Sequence, residues 1–466
     1  MTLPEAFIED IKAYLPASEL APFIQALTDS EPTTSLRYNR AKCAERSGLP
    51  IGWNPDDGVY LDERPNFTLD PLLHSGCYYV QEASSQFVTH VLRSLVKEPV
   101  TALDLCAAPG GKSTAMLSVL PEGSQLVSNE IDRRRARILS ENITKWGYPN
   151  VSVTCNAPAD FRKLFHQFDL ILADVPCSGE GMFRKDEGAV SDWSPLKVNA
   201  CVALQREILD TIWPTLKPGG IMVYSTCTFN VHEDEEMLAY ICEELGAEAL
   251  KIPTDDAWHI HPPIVGQRPC YRFMPHFTEG EGLFMAAVRK RENNAEPNAS
   301  RKPDNKRKGS GKTLGKDDRS KPAIDLKKAA PTLLSQLDCE ATLELTAEGA
   351  LRAIPTGHKA LHDALVSQSL YLLQSGIEMG TIKGRDIVPA HALALSIVRR
   401  ENAFPTVEVD LNTALNYLRH EAITLEASAP TGYVIVTYRG HALGFVKNLG
   451  NRSNNLYPQE WRIRFV

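Results

Sequence analysis

The sequence predicts an α/β fold built around a parallel sheet, and three observations carry that prediction. Between residues 99 and 228, short apolar runs alternate with longer stretches of helical periodicity, the order that sets parallel strands side by side with helices on both faces. Five such runs occur, and each ends abruptly in polar or nucleophilic residues. The first leads into adjacent glycines, Gly110 and Gly111, at a strand-to-helix turn where backbone can approach a ligand closely. In such sheets ligands bind outside the carboxyl ends of the strands, so the five endings mark one candidate site.

Residues 1 to 30 place Phe7, Ile8, Ile11 and Leu15, then Phe23, Ile24 and Leu27, at helical spacing, which predicts helices. In Ser35–Lys42, basic residues flank Tyr38 and Asn39; a solvated edge strand and an RNA-facing strand fit this pattern equally. Pro50 to Pro71 is loop-rich, and Gly76–Ser85 leads into a helix for which Ser84 or Ser85 would serve as cap. The five runs are Thr101–Leu105, Gln125–Ser128, Val151–Thr154, Leu170–Ala173 and Ile221–Tyr224. Helical patterns at Ser113–Leu120, Arg133–Trp146, Asp160–Phe165 and Asn199–Leu216 separate them. Asn230–Glu236 opens a further helix with its acids at the positive end of the dipole, and His232 within it reads as a surface histidine. Gly282–Val288 reads as the last strand of this unit.

From Arg289 to about Lys328 the composition turns polar, with its densest basic cluster at Arg301, Lys302, Lys306, Arg307 and Lys308. Too little apolar surface is present to offset ordering, so a linker is expected, either a solvated spacer or an arm that touches phosphates. Beyond it, helical stretches from Leu333 to Leu418 precede strands Tyr433–Tyr438 and Ala442–Val446, joined by a turn at Arg439-Gly440-His441. The end, Tyr457–Phe465, sets Arg462 and Arg464 opposite Trp461, Ile463 and Phe465, as in an amphipathic strand. The expected regions are thus a helical N-terminal extension (1–95), the α/β unit (96–290), the linker (291–328), a helical or mixed region (329–405) and a small β-rich module (406–466).

A length of 466 residues suggests about three domains of roughly 150 residues. The 43% apolar and 23% charged fractions are ordinary for a soluble globular protein. No window approaches the roughly 18 uninterrupted apolar residues of a membrane span, and Met1–Glu5 lacks the pattern of a signal peptide. A cytoplasmic protein without membrane association is expected. Ten cysteines with no Cys-x-x-Cys pair argue against a zinc site or a disulfide framework. The net charge of −8 does not by itself suggest nucleic acid, although a local groove can differ from the whole.

The strand ends carry the chemistry. After the first run comes Cys106-Ala107-Ala108-Pro109-Gly110-Gly111-Lys112-Ser113. Its last three residues match a phosphate-binding P-loop, but that motif needs glycine where Cys106 stands, which favours a nucleoside-type cofactor over a nucleoside triphosphate. Glu130 ends the second run 18 positions after Lys112, close to the spacing of about 20 at which an acid holds ribose hydroxyls. Cys155-Asn156 follows the third run, Asp174 and Cys177 the fourth, and Cys227 the fifth. A thiolate is a strong nucleophile near neutral pH. Addition of one to C6 of cytosine makes C5 able to attack a methyl donor, with an acid needed at N3 and a base at the C5 proton; Asp174, Cys177 and Cys227 suit those needs. The target base must leave its stack to reach such residues.

Asp104–Lys112, Asp174–Gly181 and Ser225-Thr226-Cys227-Thr228, with Leu36–Asn39 and Tyr79–Ser85, resemble the Nol/Nop/Sun family of RNA 5-methylcytosine methyltransferases over about Ser35 to Arg289. The resemblance implies a Rossmann-like S-adenosylmethionine-dependent fold with an RNA-binding N-terminal extension. It assigns Cys227 as nucleophile, Cys177 to product release and Asp174 to the cytosine at the border of the cofactor. It gives the methionine end of S-adenosylmethionine to Cys106–Lys112 (Cys106, Ala107, Ala108, Pro109, Gly110, Gly111 and Lys112), the ribose to Glu130 and the adenine end to Asn156. Arg184 and Lys185 would meet RNA phosphates. Two positions depart from the family pattern: Asn156 stands where aspartate is common, and Val175 where alanine is usual. Gly376, Gly380, Lys383, Pro389 and His391–Ala394 with the terminal β module resemble the extension of a bacterial branch that carries a PUA-like RNA-binding domain and methylates small-subunit ribosomal RNA. Transfer RNA as substrate, or RNA binding without chemistry, are the competing readings.

Overall fold

The computed structural model describes residues 2–292, 325–346 and 348–464. The basic cluster Arg301–Lys308 and Phe465 lie outside these residues. At the centre is a nine-stranded sheet. Its strands are β1 (Thr101–Asp104), β2 (Gln125–Asn129), β3 (Val151–Thr154), β4 (Phe168–Asp174), β5 (Leu216–Thr226), β6 (Ala247–Leu250), β7 (Leu283–Lys290) and β8 (Leu372–Ser375), with the short Tyr271–Phe273 paired to β7. The order β6–β7–β5–β4–β1–β2–β3–β8 makes β3, β2, β1, β4 and β5 a parallel set. The antiparallel β7 closes one side. Chain direction reverses about β1, so the crevice over β1 and β4 is where a ligand is expected.

All five sequence runs lie on these strands, and Gly282–Val288 overlaps β7. Helices Gly111–Val119, Arg133–Trp146, Pro195–Ile212 and Glu235–Glu243 cover the sheet. The second shows why its ends fall where they do. Asp132 accepts hydrogen bonds from Arg134 N and Arg135 N, and Gly147 ends the helix at φ 86°, a conformation that favours glycine. Two apolar cores sandwich the sheet, one including Phe87, Trp146 and Leu170, the other Phe168, Ile171 and Tyr224. No described helix is long and apolar enough to cross a membrane.

The N-terminal helices Glu5–Lys12 and Ala17–Asp29 pack Phe7 and Phe23 against Phe183, Trp193 and Phe229, directly behind the loop after β4. The strand in Ser35–Lys42 is not a solvated edge. Thr34–Tyr38 is the inner strand between Gly58–Leu61 and Tyr78–Val80, and Arg37 is fully buried. The helix Phe87–Leu95 is entered differently from the expected serine cap: the Glu82 carboxylate accepts from Ser84 N and Ser85 N, both at 2.8 Å.

The stretch expected to be helical after Leu333 holds a four-stranded sheet (Ala341–Leu345, Ala350–Pro355, Ile377–Lys383, Asp386–Pro389) beside the helix Thr356–Ser367. Short half-exposed strands leave a mixed apolar period that mimics a helix. A second four-stranded sheet joins Thr406–Glu408, Gly432–Tyr438, His441–Asn448 and Ser453–Asn455. Its hairpin turns at Arg439 (φ 49°) and Gly440 (φ 77°), as the sequence indicated. Among the described residues the expected terminal strand is absent: Gln459–Trp461 is a single 3-10 turn, and only the burial of Ile463 between exposed Arg462 and Arg464 keeps the expected alternation.

Candidate active site

Cys177 and Cys227 come from neighbouring strand ends, three residues past β4 and one past β5. Their Sγ atoms are 3.2 Å apart and hydrogen bonded. That bond, with burial and the nearby Glu233 charge, pushes the Cys177 thiol well above its ordinary pKa. The loop after Cys177 folds back so that Gly181 N donates to Cys227 O at 2.8 Å. A Cβ at Gly181 would sit 3.3 Å from Cys227 Cβ and 3.0 Å from Gly282 O, so a side chain here would push the neighbours by a few tenths of an ångström.

Asp174, the last residue of β4, faces the same space. Its Oδ1 accepts from Ser225 Oγ at 2.7 Å and its Oδ2 pairs with Lys112 Nζ at 2.8 Å. Burial opposes the Lys112 charge, yet Asp174 raises its pKa and keeps it protonated. Lys112 is thereby committed to a carboxylate, which agrees with the missing P-loop glycine.

Beneath the cysteines lies a layer of buried acids that sequence reasoning did not assign. Glu233 accepts from Ser178 N at 3.0 Å, from Ser178 Oγ, from Gln205 Nε2 at 2.8 Å and from Asn230 Nδ2 at 2.9 Å. Glu180 accepts from Phe229 N (2.6 Å), Asn230 N (3.0 Å), Asn230 Nδ2 (2.9 Å) and Trp193 Nε1 (3.0 Å). Burial and the charge of Glu233 still push Glu180 up to about 7. Arg272, itself buried, pairs with Asp234 at 3.1 Å and with Glu235. The layer fixes both cysteine loops from behind. Acids scattered across the sequence gave no periodic signal of this, although the run Glu233–Glu236 directly after Cys227 was visible.

The cofactor loop is braced from outside. Arg37 Nη2 donates to Gly111 O at 3.2 Å, Arg135 Nη2 to Ala108 O at 2.8 Å, and Asn142 Nδ2 to Pro109 O at 2.8 Å. Gly110 adopts φ 116° where the helix begins, which explains one of the two glycines. Cys106 is inert by environment, since burial and surrounding acids raise its thiol pKa. Ala107 is tied to β2 by its N–H to Asn129 O at 2.8 Å.

Two buried acid oxygens on the cofactor side lack hydrogen-bond partners, which tests whether a nucleoside cofactor fits. Asp104 Oδ2 accepts from Ser113 Oγ at 2.6 Å while Oδ1 has none, and burial pushes this carboxyl up to about 7. Glu130 Oε1 accepts from Asp132 N at 3.0 Å; Oε2 makes no hydrogen bond and lies 3.3 Å from Arg135 Nη1. Buried acceptors left unpaired are costly. A ligand bearing an ammonium at one end and ribose hydroxyls at the other suits this pair. Asp104 was quoted in the sequence motif without a role, and its orphan oxygen gives it one.

Two expected contacts differ. Both polar atoms of the Asn156 side chain engage the backbone of Tyr371: Tyr371 N donates to Oδ1 at 2.9 Å and Nδ2 donates to Tyr371 O at 3.2 Å. An aspartate could not make the second bond, which accounts for the amide here. Arg184 is not available to phosphates: its side chain is buried against Glu281 (3.0 Å), Ser30 Oγ (2.8 Å) and Gly280 O. Lys185 also approaches Glu281, at 3.5 Å. His232 is a partnered surface histidine, on Glu236 at 3.0 Å. The sequence spacing that argued against a metal site did not foresee that Cys43, Cys77 and His441 bring their ligand atoms within 4.8 Å of one another.

The sheet order, glycine loop and acid at the end of β2 define the Rossmann-like methyltransferase class. Residues 92–289 match the family described as 16S rRNA methyltransferase RsmB/F, residues 3–83 the N-terminal domain of 16S rRNA methyltransferase RsmF, and residues 404–463 the methyltransferase RsmF PUA domain. Ribosomal RNA small subunit methyltransferase F of Aeromonas salmonicida is 32% identical, covering 98% of this chain and 97% of its own length. The protein of the same name from Serratia proteamaculans is 30% identical, covering 98% and 96%. The chain belongs to the RsmB/F family of 16S rRNA methyltransferases. Among solved structures, a methyltransferase homolog protein from Pyrococcus horikoshii is similar at TM-score 0.51 and 22% identity, covering 62% of this chain and 100% of its own. NSun6 from the same organism, with SFG, gives TM-score 0.50 and 19% identity over 62% and 98%. These two likenesses show the fold.

Proposed function

We propose that this protein transfers a methyl group from S-adenosylmethionine to C5 of a cytosine in small-subunit ribosomal RNA through a covalent cysteine–C6 adduct. The observation that carries the reading is the contact between Cys177 and Cys227 beside Asp174. One thiol adds to the ring while the other stands within proton-transfer reach. In this reading Cys227, as thiolate, attacks C6, and Asp174 receives N3 and the exocyclic amine, its charge balanced by Lys112. Bound S-adenosylmethionine supplies an electrophilic methyl group to C5. Cys177 then passes its own proton to the departing Cys227 sulfur, 3.2 Å away, and takes the C5 proton in its place, as the bond between Cys227 and C6 breaks to return the aromatic ring.

Asp104 and the Cys106–Lys112 loop would hold the methionine end of the cofactor and Glu130 the ribose. That a relative in fold carries SFG, an S-adenosylmethionine analogue, supports the class of cofactor. Relatives named for small-subunit ribosomal RNA at full-length coverage support the substrate. The division into N-terminal extension, catalytic unit and PUA-like module, as expected from the sequence, belongs to the same proposal. The test is incubation with labelled S-adenosylmethionine and separate pools of naked ribosomal RNA, small subunits and transfer RNA. Label in 5-methylcytosine of small-subunit RNA is expected. Label only in transfer RNA would replace the substrate, and no label in any RNA would remove the enzyme reading.

A further inference from the structure

The C-terminal region reaches the cofactor side of the central sheet. β8 adds antiparallel to β3, with Leu372 opposite Thr154 and Ser375 opposite Ser152. The residue just before β8 is Tyr371, and it is held at three points. Its carbonyl accepts from Cys155 N at 2.9 Å and from Asn156 Nδ2, and its N–H donates to Asn156 Oδ1. Asn156 is in turn fixed by Asn129, whose Oδ1 accepts from Asn156 N at 3.1 Å and whose Nδ2 donates to Asn156 O at 3.0 Å and to Leu105 O at 3.1 Å. A continuous set of hydrogen bonds therefore runs from Tyr371 to the start of the cofactor loop.

The Tyr371 backbone is fixed, but its side chain is 57% exposed. Ile131, next to Glu130, is 63% exposed. Cys155 links the two positions, since its backbone meets Tyr371 and its Sγ lies 3.6 Å from Ile131 O. Arg133 lies over the Tyr371 ring at 5.9 Å. An exposed aliphatic and an exposed aromatic residue are thus both tied through Cys155 to the ends of β2 and β3, beside the expected ribose acid. A flat heteroaromatic ring is the partner that such surfaces bury best.

We propose that Tyr371, delivered by the C-terminal region, forms the outer wall of the adenine subsite opposite Ile131, with Asn156 acting as the positioning residue that fixes it. The inference rests on the reading that the bound cofactor is S-adenosylmethionine. It makes the C-terminal region part of the cofactor site as well as a candidate RNA-binding module. It also gives the departure at Asn156 a purpose, because an amide both accepts from Tyr371 N and donates to Tyr371 O, which a carboxylate cannot do.

The test is calorimetric binding of S-adenosylhomocysteine to the full chain, with no RNA and no turnover. Tyr371→Ala is expected to weaken binding about five- to tenfold, the size of one lost aromatic contact, and Tyr371→Phe to stay within twofold. Asn156→Asp is expected to weaken it similarly, because a carboxylate cannot donate to Tyr371 O. The unfolding midpoint of Tyr371→Ala should match the parent, since that side chain is exposed. Binding by Tyr371→Ala and Asn156→Asp within twofold of the parent overturns the inference and leaves the proposed function intact. A parent protein that binds no S-adenosylhomocysteine overturns both.

Discussion

The Sγ atoms of Cys177 and Cys227 meet at 3.2 Å across fifty residues of chain. Their strands, β4 and β5, are parallel neighbours with Asp174 opposite Ser225, so the contact follows from sheet register and two short loops. In the proposed reaction the two thiols do different work. Cys227→Ala should abolish methyl transfer and form no adduct. Cys177→Ala should accumulate a protein–RNA adduct that survives denaturing electrophoresis. The opposite assignment of trapping would exchange the two roles.

Glu233 holds the loop that carries Cys177 through both polar groups of Ser178. In Glu233→Gln the new NH2 would face the donors of Gln205 or Asn230. Buried donors without acceptors should lower stability by about 1–3 kcal/mol and slow adduct release more than adduct formation. Urea unfolding and single-turnover kinetics read the two effects separately. Equal slowing of both steps would mean that Glu233 supports the site as a whole.

Arg37 should behave as a structural brace for the cofactor loop. It is fully buried, bonds Gln81, Thr114 and Gly111, and lies 4.5 Å from the centre of the Trp146 ring. Arg37→Ala should cost at least about 3 kcal/mol, because several buried acceptors lose their donor together. Arg37→Lys should recover little, since one ammonium cannot reproduce the planar fork. Recovery of full stability by lysine in chemical denaturation would contradict this role.

Asp104 gives a pH signature. Its folded-state pKa is raised from 3.8 to about 7, so the folded protein holds a proton that the unfolded chain releases, and stability falls as pH rises through that window. Buried His74, His358 and His391, pushed down to about 4, 3 and 3, act in the opposite sense below their ordinary pKa. The difference between parent and Asp104→Asn isolates the carboxyl. The parent's stability relative to the variant should decline from about pH 4 to 7 and level off above it. A difference that does not change with pH would place the Asp104 carboxyl near its ordinary pKa.

The central sheet was legible because each buried parallel strand is a short apolar run, and its residues of interest are the ones that interrupt that run. Asp174, Cys177, Cys227, Glu130 and the Cys106–Lys112 loop could be found this way. Glu180, Glu233 and Arg272 could not, because they meet only after folding and carry no period. Arg37 misled for a related reason: a basic residue in a strand reads as exposed, and only its buried acceptors show otherwise. Asn156 was visible as a departure, but its partner lies 215 residues away, beyond any local pattern. The small strands after Ala341 were obscured by partial burial on both faces, which blurs alternation.

The pairing of β8 with β3 has a further consequence for the sheet itself. A strand with unpaired amides invites another chain to add to it, which makes bare sheet margins prone to association. β3 would be such a margin in a chain stopped after Lys290, because among the described residues β8 alone continues the sheet on that side. The C-terminal region therefore doubles as a seal, and a shortened enzyme should come out of expression as aggregates or dimers joined along β3.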